Sequence, residues 1–172
     1  MDYYIDAQAL HDGGMTVVKD AAFRPAFILN GRHGLANDGF NLHTIDGTHV
    51  GSIRQRTVGM FPRYDLYLSQ SRVGSVKKMF GVWHEFVFVS DLNWMIIGNM
   101  LANNYRIYHG MKAVTTIAAV GAATGTTFKI AIKDQKDAPA GILLAAILDR
   151  WRQIYQANPL VRHDPASISY GV

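Results

Sequence analysis

Hydrophobic positions divide the chain into an alternating part and one continuous apolar run near the carboxyl end. The run covers residues 138–148, has the sequence APAGILLAAIL and contains no polar side chain. A helix of this composition has no polar face, so it has to be buried on every side. Because most of the chain before it alternates with the period of a β-strand, the pattern predicts one helix enclosed by sheet.

Alternation and turn residues upstream of that run predict a mainly β protein with about twelve antiparallel strands. Residues that tolerate positive φ separate several of them, at Asp12-Gly13-Gly14, Asn30-Gly31 and Asp46-Gly47. Short strands joined by hairpins favour a closed barrel around the buried C-terminal helix. The predicted strands are Tyr3–Gln8, Gly14–Lys19, Ala22–Leu29, Gly39–Ile45, Thr48–Thr57, Arg63–Leu68, Arg72–Met79, Trp83–Val89, Asn93–Asn99, Asn104–Tyr108, Lys112–Val120 and Thr126–Lys133.

An internal repeat supports this meander of hairpins. The segments 40–42 and 50–52, FNL and VGS, recur at 64–66 and 73–75 as YDL and VGS. Glycine inside a strand allows bending or the close approach of another group. We therefore expect the two repeated mid-strand glycines to approach the buried helix.

The helix itself is predicted over about residues 138–156, with Asp137 as N-cap, Pro139 in the first turn and Asn158-Pro159 as the stop. Beyond Leu148 the pattern becomes amphipathic. The side chains expected to continue the apolar side are Trp151, Ile154 and Tyr155, and those expected in water are Asp149, Arg150, Arg152 and Gln153. Residues 1–157 are predicted to form one barrel domain, and residues 158–172 a loosely ordered tail.

Length and composition restrict the class of protein. A chain of 172 residues without cysteine is one domain by length, has no disulfides and agrees with a reducing cytoplasm. Its first ten residues carry no secretory signal. The apolar run spans about 16 Å, roughly half of a hydrocarbon core, so no transmembrane segment is expected. We expect a cytoplasmic protein, peripheral to a membrane if it contacts one.

The histidines and acidic residues do not predict a metal site or an active site. In a hairpin with a two-residue turn at Asp46-Gly47, His43 and His49 point to opposite faces, so they share no metal. Glu85 and His84 are adjacent in a strand and also point apart. The sequence has no nucleophile or phosphate-loop motif, so no cofactor, metal or catalytic residue is predicted. A hydrolase with a pocket at the barrel end is the less favoured alternative.

Basic residues are the remaining candidates for a site, on a chain with a formal net charge of +4. If Gly51 and Ile53 point inward, Ser52, Arg54 and Arg56 face outward, and the repeat places Ser75 and Lys77 likewise. The predicted positive stripe, suited to phosphate or anionic lipid, consists of Arg54, Arg56, Arg63, Arg72, Lys77 and Lys78. The alternative is a solvated face. Nucleic acid is not expected, because no aromatic side chains are interleaved on that face.

The chain resembles the bacterial branch of the LURP-one-related proteins, within the tubby-like architecture of a barrel around a C-terminal helix. The matching segments, spread over most of residues 2–155, are YYIDAQ at 3–8, GSIRQR at 51–56, FPRYDLY at 61–67, VGSVKK at 73–78, NYRI at 104–107 and the helix at 141–147. Relatives of this fold include tubby domains, which bind phosphoinositides, and phospholipid scramblases. No tubby headgroup-binding pair can be placed here, so no site is transferred.

Together these observations predict a non-enzymatic binding or scaffold domain that contacts an anionic phospholipid or phosphoinositide through the basic wall. The alternative is a protein–protein interaction module or homo-oligomer that docks a partner on its outer face.

Overall fold

Twelve antiparallel strands form a closed barrel in the computed structural model of this chain. The structure describes residues 1–11, 14–32, 38–57, 63–79, 85–99, 102–122 and 125–157. The strands are β1 (Asp2–Asp6), β2 (Met15–Lys19), β3 (Pro25–Arg32), β4 (Gly39–Thr44), β5 (His49–Thr57), β6 (Arg63–Leu68), β7 (Ser71–Met79), β8 (Glu85–Val89), β9 (Trp94–Asn99), β10 (Asn104–His109), β11 (Lys112–Ala122) and β12 (Gly125–Ile132). Each pairs with its neighbours in sequence, and β1 closes the ring against β12. The predicted fold class is confirmed.

Two local predictions near the start of the chain are wrong. The first strand ends at Asp6, and a short helix, α1 (Ala7–His11), follows it. Asp6 begins this helix, because its Oδ1 accepts a hydrogen bond from the backbone N–H of Gln8 at 2.9 Å. Asn30-Gly31, predicted as a turn, lies inside β3. The β2–β3 turn begins directly after Lys19, as predicted, and Oδ1 of Asp20 accepts there from the backbone N–H of Ala22 at 2.8 Å.

The apolar run forms the first half of a long helix, α2 (Ala138–Ala157), as predicted. A 3₁₀ turn at Gln135–Asp137 precedes it, and Asp134 caps that turn by accepting from the backbone N–H of Lys136. Every residue from Ile142 to Leu148 is 3% exposed or less, so the helix is enclosed on all sides. Burying its five large aliphatic side chains, at about 2 kcal/mol each, stabilises the fold by on the order of 10 kcal/mol.

One of the two repeated glycines does lie against the helix. A Cβ at Gly51 would lie 2.7 Å from the carbonyl oxygen of Tyr67 and 3.2 Å from Cδ1 of Leu143 on α2. At Gly74 the prediction is wrong, because a Cβ there would meet Ser90 and Val89 of the neighbouring hairpin instead. Only the first glycine therefore makes room for α2.

The second half of α2 differs from the prediction. Asp149 is 2% exposed, and its carboxylate accepts hydrogen bonds from Arg152 at 2.8 Å and from Gln153 at 2.7 Å, so its charge is paired inside the protein. Arg150 is also largely buried and reaches Asp38. Ile154, predicted on the apolar side, is 46% exposed. Mutual charge pairing lets the helix stay inside the barrel mouth for an extra turn.

No helix in the described ranges has the length and apolar character required to cross a bilayer.

Candidate functional site

The outward side chains of β5, β6 and β7 form a continuous surface, here called the outer wall. Ile53, Leu66 and Val76 are fully buried in the lumen, so the residues that alternate with them point outward. Arg54 of β5 is the register partner of Asp65 on β6, which in turn is opposite Ser75 on β7.

Asp65 stands at the centre of the outer wall and is 4% exposed. Its Oδ2 lies 2.9 Å from Nη1 of Arg56, and its Oδ1 lies 3.3 Å from Nε of Arg72. Burial alone would raise the pKa of Asp65, but the hydrogen bonds from these arginines outweigh it and hold the pKa below its usual range. Arg72 also contacts Asp91 at 2.9 Å. Two of the predicted cations are therefore already paired within the protein.

The other predicted cations lie around this group. The guanidinium of Arg54 stands over the ring of Tyr67, 5.5 Å from its centroid. Arg63 is exposed and is the register partner of the half-buried Lys77. The side chain of Lys78 lies outside the described residues. The structure thus brings five of the six predicted cations to one face, beside two carboxylates.

The two serines predicted on this face do not add accessible hydroxyl groups. Ser52 lies between Asn41 and Tyr67 in the register and is completely buried. Ser75 is almost as buried. Both side chains alternate with lumen residues and so face outward as predicted, but they are covered there.

A cavity of about 120 Å³ adjoins the outer wall, and no pattern in the sequence predicts it. Gly39 at its centre is the register partner of both Arg32 and Arg54, which are exposed. A Cβ at Gly39 would collide with the carbonyl oxygen of Ile53, so only glycine fits between these two strands here. The cavity lining consists of Arg32, Asp38, Gly39, Phe40, Asn41, Ile53, Arg54 and Gln55.

Asp38 also lines this cavity, but its charge is neutralised from the barrel side. Its Oδ2 lies 3.2 Å from Nε of Arg150 and accepts a hydrogen bond from Oη of Tyr64 at 3.3 Å. Burial, followed by the charge of Asp38, raises the pKa of Tyr64 well above its usual range, so the phenol stays protonated as a donor. These three residues, the Asp38 cluster, tie α2 to the barrel mouth beneath the cavity.

Arg32 could not be placed from the sequence, because Asn30-Gly31 was interpreted as a turn and left Arg32 in a loop. The signal that was available is the alternation of Asn30 and Arg32 with the buried Leu29, which continues the strand through the glycine. Arg32 and Arg54 together can hold a planar or tetrahedral oxyanion, since each guanidinium offers two parallel N–H donors.

The predicted orientation of the two hairpin histidines is wrong. A register shift between Leu42 and His43 makes His43 the partner of His49, and their ring centroids are 5.3 Å apart. The bulge adds one residue to one strand of the hairpin. His43 and His49 therefore lie on the same face of the hairpin and not on opposite faces. Burial, the neighbouring imidazole and Arg54 lower the pKa of His49.

A second cavity, of about 130 Å³, lies between β11 and β12 and is lined mainly by small and apolar residues around Thr115 and Lys133. Neither of the two cavities brings a histidine and a carboxylate together. Within the described ranges, no three side chains of His, Asp or Glu converge as metal ligands.

Comparison with known proteins gives two matches. A family model described as LURP-one-related matches residues 1–149. The chain is similar to the uncharacterized protein YxjI of Bacillus subtilis (strain 168), with 21% identity over 132 residues that cover 77% of this chain and 82% of the relative. No solved structure matches.

Proposed function

The chain belongs to the LURP-one-related family, and we propose that it is a non-enzymatic binding domain that contacts phosphate groups of anionic lipid from the cytoplasmic side. The single observation that carries this proposal is the cavity over Gly39, with an exposed arginine on each side. Because Asp38 is neutralised by Arg150, it does not oppose an anion at this place.

The outer wall extends the same positive field along the barrel. Arg54 belongs to both the cavity and the wall, and Arg63 and Lys77 continue the surface on β6 and β7. Exposed cations contribute to membrane binding through long-range attraction, which falls off within a Debye length. The cavity supplies a place for one phosphate, and the wall supplies attraction to the surrounding anionic surface.

The first test is co-sedimentation with vesicles of phosphatidylcholine alone and of phosphatidylcholine with phosphatidylserine, at low and moderate salt. We expect recovery in the pellet only with the anionic vesicles, and less of it at the higher salt concentration. Equal recovery with neutral and anionic vesicles would refute the lipid proposal.

The site is tested by the double variant Arg32→Gln/Arg54→Gln. Its matched control is Arg106→Gln/Lys112→Gln, which removes the same charge from exposed positions on β10 and β11, far around the ring. We expect the first pair to weaken anionic-vesicle binding at least fivefold and the control pair to change it less than twofold. Equal losses of vesicle binding in the two double variants would show that binding depends on net charge and not on the cavity.

Competition separates two sources of phosphate. If an inositol phosphate in solution displaces the protein from vesicles, the headgroup itself fills the cavity. If it does not, while the arginine pair remains necessary, the membrane surface is the ligand.

A specific observation also favours a protein partner as a second candidate. Met15, Val17 and Phe23 are exposed on and beside β2, and Phe23 stacks on Tyr4 with ring centroids 4.8 Å apart. Such apolar side chains on an outer face are typical of a docking surface. Light scattering after size exclusion tests self-association, and Met15→Lys/Val17→Lys should abolish any dimer that this face forms.

A further inference from the structure

The hairpin between β4 and β5 places two imidazoles against each other on the outside of the barrel. Leu42 is fully buried in the lumen, so its neighbour His43 points outward, and the register shift places His49 opposite it. The two rings meet edge to face with centroids 5.3 Å apart and planes inclined by 72°. Both side chains are partly exposed.

The hydrogen bonding of two ring nitrogens in this pair bears on what the pair can bind. Nε2 of His49 is buried and has no hydrogen-bond partner among the described residues. Nδ1 of His43 lies 3.5 Å from the side-chain amide of Asn30. A half-turn of that amide presents its oxygen to Nδ1–H, which leaves Nε2 of His43 with a free lone pair. A metal-binding histidine usually donates its second ring N–H to an oxygen acceptor in this way, which fixes the orientation of the ring.

The spacing of the rings suits one ion between them. With metal–nitrogen bonds of about 2.0–2.1 Å and a tetrahedral angle, the centres of two coordinating imidazoles lie about 5 Å apart. The observed 5.3 Å needs no movement of the strands. Because Nε2 of His49 is covered, rotation about its second side-chain torsion, which is soft in histidine, has to bring this nitrogen to the ion.

The surroundings decide which ions fit. Asp46 in the hairpin turn is engaged by Thr44 and Thr48, and no third His, Asp or Glu in the described part of the chain joins the pair. Ions that prefer imidazole nitrogen and keep water at their other positions are Cu²⁺, Ni²⁺ and Zn²⁺.

We propose that His43 and His49 form a two-imidazole site for a divalent transition metal, completed by water, on the outer face of the β4–β5 hairpin. The site does not depend on the proposed lipid function. Cu²⁺ is expected to bind most tightly, followed by Ni²⁺ and Zn²⁺, in the order that imidazole sites follow.

The test is titration of the whole chain, without a histidine tag, with ZnCl₂ in a calorimeter and with CuCl₂ under electron paramagnetic resonance. Wild type should bind one Zn²⁺ per chain, and the Cu²⁺ spectrum should show two equivalent nitrogens. His43→Gln and His49→Gln should each lower the Zn²⁺ affinity at least tenfold. His109→Gln, which removes an exposed histidine from the end of β10, is the matched control and should bind as wild type does.

Thermal unfolding shows whether a variant has lost metal binding because it is misfolded. The metal-free variants should melt within a few degrees of wild type, and added Zn²⁺ should raise the melting temperature of wild type and His109→Gln only. Equal affinity in all four proteins, or a Cu²⁺ spectrum with no histidine nitrogen in wild type, would overturn the proposal.

Discussion

Asp38 and Asp65 are both 4% exposed and both bind arginine, yet they have different roles in the molecule. Asp38 meets Arg150, which comes from the enclosed helix and is itself 23% exposed. Asp65 meets Arg56 and Arg72, whose side chains are 65% and 40% exposed on the outer wall. One carboxylate joins the two structural layers of the protein, and the other organises charges on its surface.

The difference follows from where the partners can go when the carboxylate is removed. Loss of Asp65 lets Arg56 turn into water, where it can meet an external anion, and leaves Arg72 with its second carboxylate, Asp91. Arg150 is held by α2 inside the barrel mouth and keeps a costly unpaired charge if Asp38 is lost. Equal burial of two aspartates therefore does not imply equal contributions to stability.

The largest expected effect comes from disrupting α2, the enclosed helix that carries Arg150. We expect Leu144→Asp, or truncation after Asp137, to leave no soluble folded protein, because on the order of 10 kcal/mol of burial is lost. Circular dichroism and a thermal melt check this. Ile154→Asp, on the same helix but exposed, is the control and should fold. A cooperative melt of the truncated chain would contradict the role given to α2.

The next test removes the inner carboxylate. Asp38→Ala should lower the free energy of unfolding by about 3 kcal/mol, since it strands Arg150 and leaves the Tyr64 hydroxyl without this acceptor. Chemical denaturation measures the change. Asp38→Leu combined with Arg150→Met should recover most of the loss, because no buried charge remains unpaired. If Asp38→Ala lowered the free energy of unfolding as little as Asp65→Asn is expected to, the two aspartates would not differ in their contribution to stability.

Removal of the outer carboxylate, Asp65, should change stability little and should increase binding to anionic vesicles. We expect Asp65→Asn to cost about 1 kcal/mol or less in stability, because its partners are exposed. The same substitution should increase sedimentation with anionic vesicles, since it frees Arg56 and removes one of the two carboxylates that pair with Arg72. Asp91→Asn, which touches only Arg72 at the rim, serves as the control and should change binding less. Unchanged binding by Asp65→Asn would exclude these two arginines from the membrane contact.

The smallest expected effect is on stability in acid. The pKa of Asp65 is lower in the folded state than its ordinary value near 4, so the stabilisation it provides is complete above that value. This stabilisation is lost as the pH falls through the folded-state pKa. Between pH 5 and pH 3, wild type should therefore lose more stability than Asp65→Asn. The free energy of unfolding is measured by chemical denaturation at each pH. If it falls equally in both proteins between pH 5 and pH 3, the protonation of Asp65 is not linked to stability.

Much of the fold could be predicted from the sequence because its signals are local. The apolar run at 138–148 has one solution, burial on all sides, and alternation separates twelve strands from their turns. The α1 helix could not be predicted, since its five residues are too few to show a helical period. Asn30-Gly31 has turn composition, but its neighbours on both sides pair in the sheet.

The site could be predicted only in part, because it depends on register. Alternation was enough to place Arg54 outward, but a bulge between Leu42 and His43 changes the face of everything beyond it in that hairpin. Asp38 and Arg150 are separated by more than a hundred residues, and nothing local relates them. The buried Asp149 looks like a solvated residue until its own helix supplies Arg152 and Gln153 as partners.

The pairing of β1 with β12 has a consequence for how the protein is made. Asp2–Asp6 is made before the other strands of the barrel but has no edge to join on that side until Thr127–Ala131 has been synthesised. The helix that fills the lumen emerges later still. The ring therefore cannot close around its contents before α2 has been made, and its open edges have to be kept from pairing with other nascent chains until then.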